Sequence, residues 1–314
     1  MTQYVIRRVL AIIPVLFGIS VLVFGLVHLI PGDVAQILLG TQATDQQLAT
    51  LRRTFGLDRP LPIQYVDWLS HVLVGDFGVS FRTDRPVLPD LVQRFGVTLQ
   101  LTLVSMLIAL AVAIPLGAAS AANRGKLSDG LSRVIALLGL SIPNFWLGTL
   151  LILFVSLVLH WLPPVGFVSL LDNPWLGIQT LILPALALGT AVAAFIMRMV
   201  RSSLLEVLRQ DYIRTAHAKG LREFTVLYRH ALKNAFIPVL TVIGVQVGYL
   251  LGGAVIIESI FSLPGMGRFL LDSISNRDYS IVQGGVLFIA LIFCLVNLSV
   301  DLVYGWLDPR IRYE

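Results

Sequence analysis

Six charge-poor apolar runs recur along the chain, at approximately Val9–Ile30, Val97–Ala122, Val134–Leu159, Leu181–Val200, Phe236–Ile257 and Gly284–Tyr304. A helix of about 20 apolar residues crosses the roughly 30 Å hydrocarbon core of a bilayer, so each run predicts one membrane span. The fourth contains Pro184 and ends at Arg198 and Arg201, but proline is tolerated in membrane helices where neighbours satisfy the freed carbonyl. Between the first two runs, Pro60, Pro62, Pro86, Pro89 and the stretch Gly75-Asp76-Phe77-Gly78 punctuate residues 31–96. This predicts a small cap of short helices and turns rather than a flexible linker. Between the fourth and fifth runs, Leu204, Leu208, Tyr212 and Ala216 recur at four-residue spacing and Gly220 interrupts. Phe224, Leu227, Tyr228, Ala231, Leu232 and Ala235 then follow at helical spacing, which predicts two amphipathic helices around a turn.

The expected fold is therefore an all-α polytopic membrane protein with six transmembrane helices. A small external segment lies between the first and second, and a cytoplasmic helix–turn–helix between the fourth and fifth. Along the chain this reads as residues 1–30 for the N-terminus and first span and 31–96 for the external segment. Residues 97–304 form a five-span core containing the loop 201–235, and 305–314 form a tail.

Composition agrees with a lipid solvent. Of 314 residues 56% are hydrophobic and 13% charged, against roughly 45–50% and 25% in soluble domains. The net charge of +5 gains meaning from its placement. Lys and Arg number 2 before the first span, 3 in loop 123–133, 8 in 198–235 and 2 in the tail, against 0 in 160–180 and 2 in 258–283. Basic loops stay inside, so both termini are expected to be cytoplasmic. Residues 31–96 carry six arginines but also seven aspartates, and a segment of this length translocates regardless of charge. Arg7 and Arg8 precede a long apolar stretch without a small-x-small cleavage pattern, so the first span reads as a retained anchor.

Several chemistries are absent. The one Gly-Lys pair, Gly125-Lys126, precedes Leu127 and lacks the glycine of a phosphate loop, so the chain does not hydrolyse ATP by itself. No zinc helix or nucleophile elbow occurs, and His28, His71, His160, His217 and His230 are scattered. The lone Cys294 has no disulfide partner. No metal or catalytic site is expected. Glu258 and Asp301 lie near span ends, within cheap reach of interfacial water, which reads as hydrated or paired carboxylates rather than an ion path. Among polar residues within spans, Asn144, Gln246 and Asn297 are candidates for a substrate path, beside the plainer reading of interhelical hydrogen bonds. The helix–turn–helix is held by spans at both ends, which disfavours DNA binding. It reads either as a pair of helices on the anionic inner leaflet or as a docking element for a cytoplasmic partner.

The run Asp211-Tyr212-Ile213-Arg214-Thr215-Ala216-His217-Ala218-Lys219-Gly220, with Arg229-His230-Ala231-Leu232-Lys233-Asn234-Ala235 and Pro238, resembles the coupling loop of ABC importer permeases of the dipeptide/oligopeptide class. The likeness extends through Tyr4-Val5-Ile6-Arg7-Arg8, Pro31-Gly32-Asp33, Gly56-Leu57-Asp58-Arg59-Pro60, Gly75-Asp76-Phe77-Gly78-Val79-Ser80 and Ser141-Ile142-Pro143-Asn144-Phe145. It continues through Glu258-Ser259-Ile260-Phe261-Ser262-Leu263-Pro264-Gly265-Met266-Gly267 to the tail Leu307-Asp308-Pro309-Arg310-Ile311-Arg312. One departure stands out: of the general importer pattern Glu-Ala-Ala-x3-Gly-x9-Ile-x-Leu-Pro, only Ala216, Gly220 and Leu232 match, and Arg214 stands where the glutamate usually does. The resemblance implies a permease in the inner membrane of a prokaryote, paired with a second homologous permease. It further implies two cytoplasmic ATPase subunits that carry ATP and Mg, and an external substrate-binding protein. It assigns ATPase coupling to Arg214, Thr215, Ala216, Ala218, Lys219, Gly220, Leu221, His230 and Leu232, and an outer gate or turn to Glu258, Pro264, Gly265 and Gly267. Substrates implied are dipeptides, oligopeptides, glutathione or nickel chelates. An ion-coupled transporter without ATPase partners, or a membrane scaffold, remains the rival reading.

Overall fold

The computed structural model describes residues 2–29, 44–54 and 58–307. Ile30, the Pro31-Gly32-Asp33 motif, Gly56-Leu57 and the tail from Asp308 lie outside the described residues. Helix α1 spans Thr2–Leu29, α2 Asp45–Thr54, α3 Leu61–Leu73, α4 Val87–Ala122, α5 Leu127–Ser141, α6 Asn144–Val158, α7 Pro174–Val207, α8 Asp211–Ala218, α9 Glu223–Ile260, α10 Met266–Ser275 and α11 Tyr279–Leu307. Among the described residues, extended structure is limited to one isolated bridge, Val79 to Pro86.

Five helices, α1, α4, α7, α9 and α11, are each long and apolar enough to cross a membrane. The third predicted span differs: it is the pair α5 and α6, bent by 97°. The cause is local. Pro143 has no N–H for the helical ladder and forces Ile142 out of the α region, to φ −82° and ψ 120°. Pro184 breaks nothing inside α7, which is longer than the predicted span because Asn173 caps it, accepting from Leu176 N at 3.1 Å ahead of Pro174 in the first turn.

The chain divides into two compact units, one of Phe95–Arg268 with the stretch from Leu295, the other of Thr2–Arg94 with Phe269–Cys294. In the first, α7 is the central element: 67% of its most apolar window is buried inside the protein. Leu181, Leu188, Ile196 and Val200 from α7 meet Leu101, Ala109 and Ala113 from α4 and Leu250, Ala254 and Ile257 from α9. Close approach here rests on small residues, as is usual where lipid gives no hydrophobic drive between helices. A Cβ on Gly189 would lie 2.7 Å from the Ser105 carbonyl oxygen.

In the second unit, α3 packs on α1 through aromatic rings, with Phe24 5.4 Å from Tyr65 and 5.8 Å from Trp68 between centroids. The hydroxyls of Ser20 and Tyr65 hydrogen-bond at 2.8 Å. The Gly75–Ser80 motif is a turn assembly in which Gly75 and Gly78 take φ of +86° and +79°. Ser80 Oγ donates to Asp278 Oδ2 at 2.5 Å while accepting from Thr83 N at 3.1 Å.

Candidate functional site

Helix α8 does not continue the line drawn by Leu204, Leu208, Tyr212 and Ala216. Helix α7 ends at Val207, Gln210 turns to ψ 150°, and α8 starts afresh at Asp211. Its inward residues are Ile213 and Ala216, both buried, while Tyr212 is 42% exposed. A hydrogen bond from Asn234 Nδ2 to Tyr212 Oη, 2.7 Å, fastens α8 to α9 instead. Gly220 is where the spacing placed a turn. Its N–H donates to His217 O at 2.9 Å and the Leu221 N–H donates to Ala216 O at 3.3 Å, the paired bonds of a Schellman cap, with Gly220 at φ +74°. A Cβ there would meet open space. Glycine is required by backbone conformation, not by crowding within this chain.

The second amphipathic helix is the first part of α9 and runs unbroken into the fifth span. Its apolar face also differs from the expected one, because Val226–Ala231 forms a π-helical turn. That turn brings Val226 and Ala231, five residues apart, to the buried side. Phe224 and Tyr228 are left exposed, their rings 4.5 Å apart. Of the proposed coupling residues, Arg214, Thr215, Ala218, Lys219, Gly220 and Leu221 are exposed together, Ala216 is buried, and His230 and Leu232 are half-buried on α9. The Arg214–Asp211 contact of 3.2 Å joins two exposed groups, so it orients the side chain more than it stabilises.

At the other end of α9, Glu258 is fully buried and hydrogen-bonded; of the hydrated or paired carboxylate expected there, the hydrated form is corrected. The reason is that α10 begins with N–H groups no helical carbonyl can satisfy. Glu258 Oε2 accepts from Arg268 N at 3.0 Å, Oε1 accepts from Thr98 Oγ1 at 2.5 Å, and Thr98 Oγ1 accepts from Met266 N at 2.9 Å. The carboxylate therefore caps α10 through a relay with α4. Gly265 is needed for proximity: a Cβ would lie 2.2 Å from Glu258 Oε1. At Gly267 it would lie 2.7 Å from the Val255 Cα. The left-handed position of this turn is taken by Ser262, at φ +53°. Pro264 is half-buried beside these residues.

Asn144, Gln246 and Asn297 lie half-buried on α6, α9 and α11, and no hydrogen bond joins Asn144 to Gln246. Gln100 instead ties α4 to the loop before α7, accepting from Leu170 N at 2.9 Å. Two features escaped the sequence reading. Thr98 looked like one more span residue. Asp129, the single acid of loop 123–133, is almost wholly buried and accepts from Arg201 Nε at 2.8 Å, Ser120 Oγ at 2.7 Å and Gly125 N at 3.0 Å. Its isolation among basic residues was the available signal.

Residues 113–313 match the binding-protein-dependent transport system inner membrane component family, and residues 1–102 match the N-terminal family of such membrane components. The chain is 44% identical over 333 aligned positions to a dipeptide transport system permease protein of Alkalihalophilus pseudofirmus. It is 45% identical over 314 to glutathione transport system permease proteins of Salmonella typhimurium and Escherichia coli, with 100% of both chains covered in each case. The fold is similar to the solved MetNI methionine ABC transporter in inward-facing conformations, with a TM-score of 0.57 at 19% identity over 69% of this chain and 96% of that one. With family matches along nearly its whole length, the chain belongs to the inner membrane components of binding-protein-dependent transport systems, and is a multi-pass transport subunit rather than an enzyme.

Proposed function

We propose that the chain is one permease subunit of an ATP-driven importer that moves peptides or similar small solutes, glutathione among them, into the cytoplasm by alternating access. The dipeptide and glutathione permeases among its relatives support this solute class. In this reading it pairs with a second homologous permease, receives solute from an external binding protein, and docks two ATPase subunits. Those subunits bind ATP and Mg, and this chain binds no cofactor. Both termini face the cytoplasm and residues 31–96 face outward.

The observation that carries the reading is the α8 turn. A short helix is held to the core by Ile213, Ala216 and the Tyr212 hydrogen bond, and it offers Arg214, Thr215, Ala218, Lys219, Leu221 and the Phe224–Tyr228 pair to a partner. Movement of the partner would be transmitted through α9, since the helix that begins at Glu223, just after the turn, runs on into the fifth span. Against the ion-coupled alternative, both oxygens of the buried Glu258 are already engaged within the chain. Valine in place of Gly220 would be strained at positive φ. In reconstituted vesicles Gly220→Val should leave the permease inserted while ATPase subunits dissociate, or hydrolyse ATP without responding to loaded binding protein. Wild-type uptake by this variant would remove the coupling assignment, and uptake with no ATPase present would establish ion coupling. Orientation is tested in a Cys294→Ser background with Ser70→Cys and Arg209→Cys, both exposed sites. An impermeant thiol reagent should reach them from opposite sides, and labelling from one side would refute the topology.

A further inference from the structure

A cleft of about 480 Å³ opens between α5 and α7, lined by Arg133, Arg198, Arg201, Leu137, Phe195 and Met199, with Ser202 at its edge. Nothing in the transport reading uses it. Its polar end holds three guanidinium groups against one carboxylate, Asp129, which is 2% exposed and already held by Arg201 at 2.8 Å. Arg133 reaches the same carboxylate only at 3.7 Å and stays 58% exposed. Arg198 is exposed and, among the described residues, has no hydrogen-bond or ion-pair partner. The cleft thus carries a surplus of positive charge that the protein itself does not neutralise.

Polarity is graded along the cleft. Helices α5 and α7 run antiparallel, since Asp129 near the start of α5 meets Arg201 near the end of α7, whereas Gly139 lies against Ala194 and Thr190. Moving from the arginines toward the middle of the spans therefore means rising numbers on α5 and falling numbers on α7. Leu137 is one turn beyond Arg133, and Phe195 one turn beyond Arg198, so both apolar residues lie on the same, inner side of the basic pair. The outer face of α5 continues this apolar surface through Val134, Ile135 and Leu138, each more than half exposed.

We infer that this cleft binds an anionic phospholipid, with its phosphate between Arg133 and Arg198 and its acyl chains along Leu137, Phe195 and the outer face of α5. Guanidinium groups bind phosphate oxygens in bidentate fashion, and basic pockets between spans at the headgroup level suit acidic lipids. A soluble anion would use the arginines but leave the apolar half of the cleft without a role. The inference goes beyond the importer reading and depends on neither its substrate nor its ATPase partners.

The test is native mass spectrometry of the purified full chain released from detergent. Phosphatidylglycerol and phosphatidylcholine with identical acyl chains are supplied in competition. The wild type should retain phosphatidylglycerol about thirtyfold better, the scale two basic residues supply near an anionic headgroup. Arg133→Gln with Arg198→Gln should abolish the preference. Arg209→Gln, exposed but outside the cleft, should keep it. Both cleft substitutions leave the Asp129–Arg201 pair in place, and Arg133→Lys with Arg198→Lys, which preserves charge, should retain most of the preference and report an intact fold. Equal retention of the two lipids by the wild type would overturn the inference. So would an unchanged preference in the glutamine variant, displacement of phosphatidylglycerol by inorganic phosphate added in excess, or, in a Cys294→Ser background, a disulfide between Leu137→Cys residues of two copies.

Discussion

Replacing Gly265 with alanine adds a single methyl group at a position whose φ is outside the left-handed region, so backbone preference predicts a harmless change. The packing predicts the opposite. The new Cβ would stand 2.2 Å from Glu258 Oε1 and Cδ and 2.5 Å from Oε2, far inside contact distance. One group has to move, and the carboxylate is the movable one, since the Gly265 backbone is fixed by the following helix. Displacing it orphans the Thr98 hydroxyl and the Arg268 N–H, two donors that now point at its oxygens. A buried donor left without a partner costs about 1–3 kcal/mol, so the substitution should destabilise the protein by about 2–6 kcal/mol. Thermal unfolding of the detergent-solubilised permease measures this, with Gly252→Ala as the control in α9, the helix that carries Glu258, where an added Cβ meets nothing within 4 Å. A double-mutant cycle isolates the mechanism. In a Glu258→Ala background the clash is gone, and Gly265→Ala should cost well under half of what it costs alone. The reasoning fails if Gly265→Ala unfolds with Gly252→Ala, or if its cost is the same with and without Glu258. Under the outer-turn reading, uptake should fall in parallel with stability while ATPase subunits still co-purify.

At Gly220 the open surroundings predict a ranking by conformation alone: Gly220→Asn, which tolerates positive φ, should preserve ATPase stimulation far better than Gly220→Ala, whose left-handed backbone costs about 1–2 kcal/mol. If alanine and asparagine behave alike, the φ argument is wrong. Asp129→Ala should leave the partly exposed Arg201 without its partner and orphan the Ser120 and Gly125 donors, at a cost of about 1–3 kcal/mol, read as a lowered unfolding midpoint. A second change, Arg201→Met, should recover much of that loss, and no recovery would refute the pairing as its source.

Which segments form helices long and apolar enough to cross a bilayer was legible from the chain alone, because an apolar run of some twenty residues is a property of the segment's own composition and not of its neighbours. The turn at Gly220 was legible for a similar reason: a helix end and its left-handed cap are settled within about six residues. The bend at Ile142-Pro143 was written locally too, but the unbroken apolar character of Val134–Leu159 hid it, since hydropathy reports length and not direction. Faces were harder. A 3.6-residue rhythm placed Phe224, Tyr228 and Ala231 on the inward face; with the π turn at Val226–Ala231, Ala231 is buried together with Val226, five residues earlier, while Phe224 and Tyr228 are exposed. The Glu258 clamp lay furthest from view. Its partner Thr98 is 160 residues away along the chain, and a carboxylate near a span end is hydrated or buried according to whether another helix brings donors to it. The same holds for Asp129 and Arg201, 72 residues apart. Helix identity is a property of segments, but the satisfaction of a buried polar group is a property of neighbours, and only the tertiary arrangement of α4, α5, α7 and α9 decides who those neighbours are.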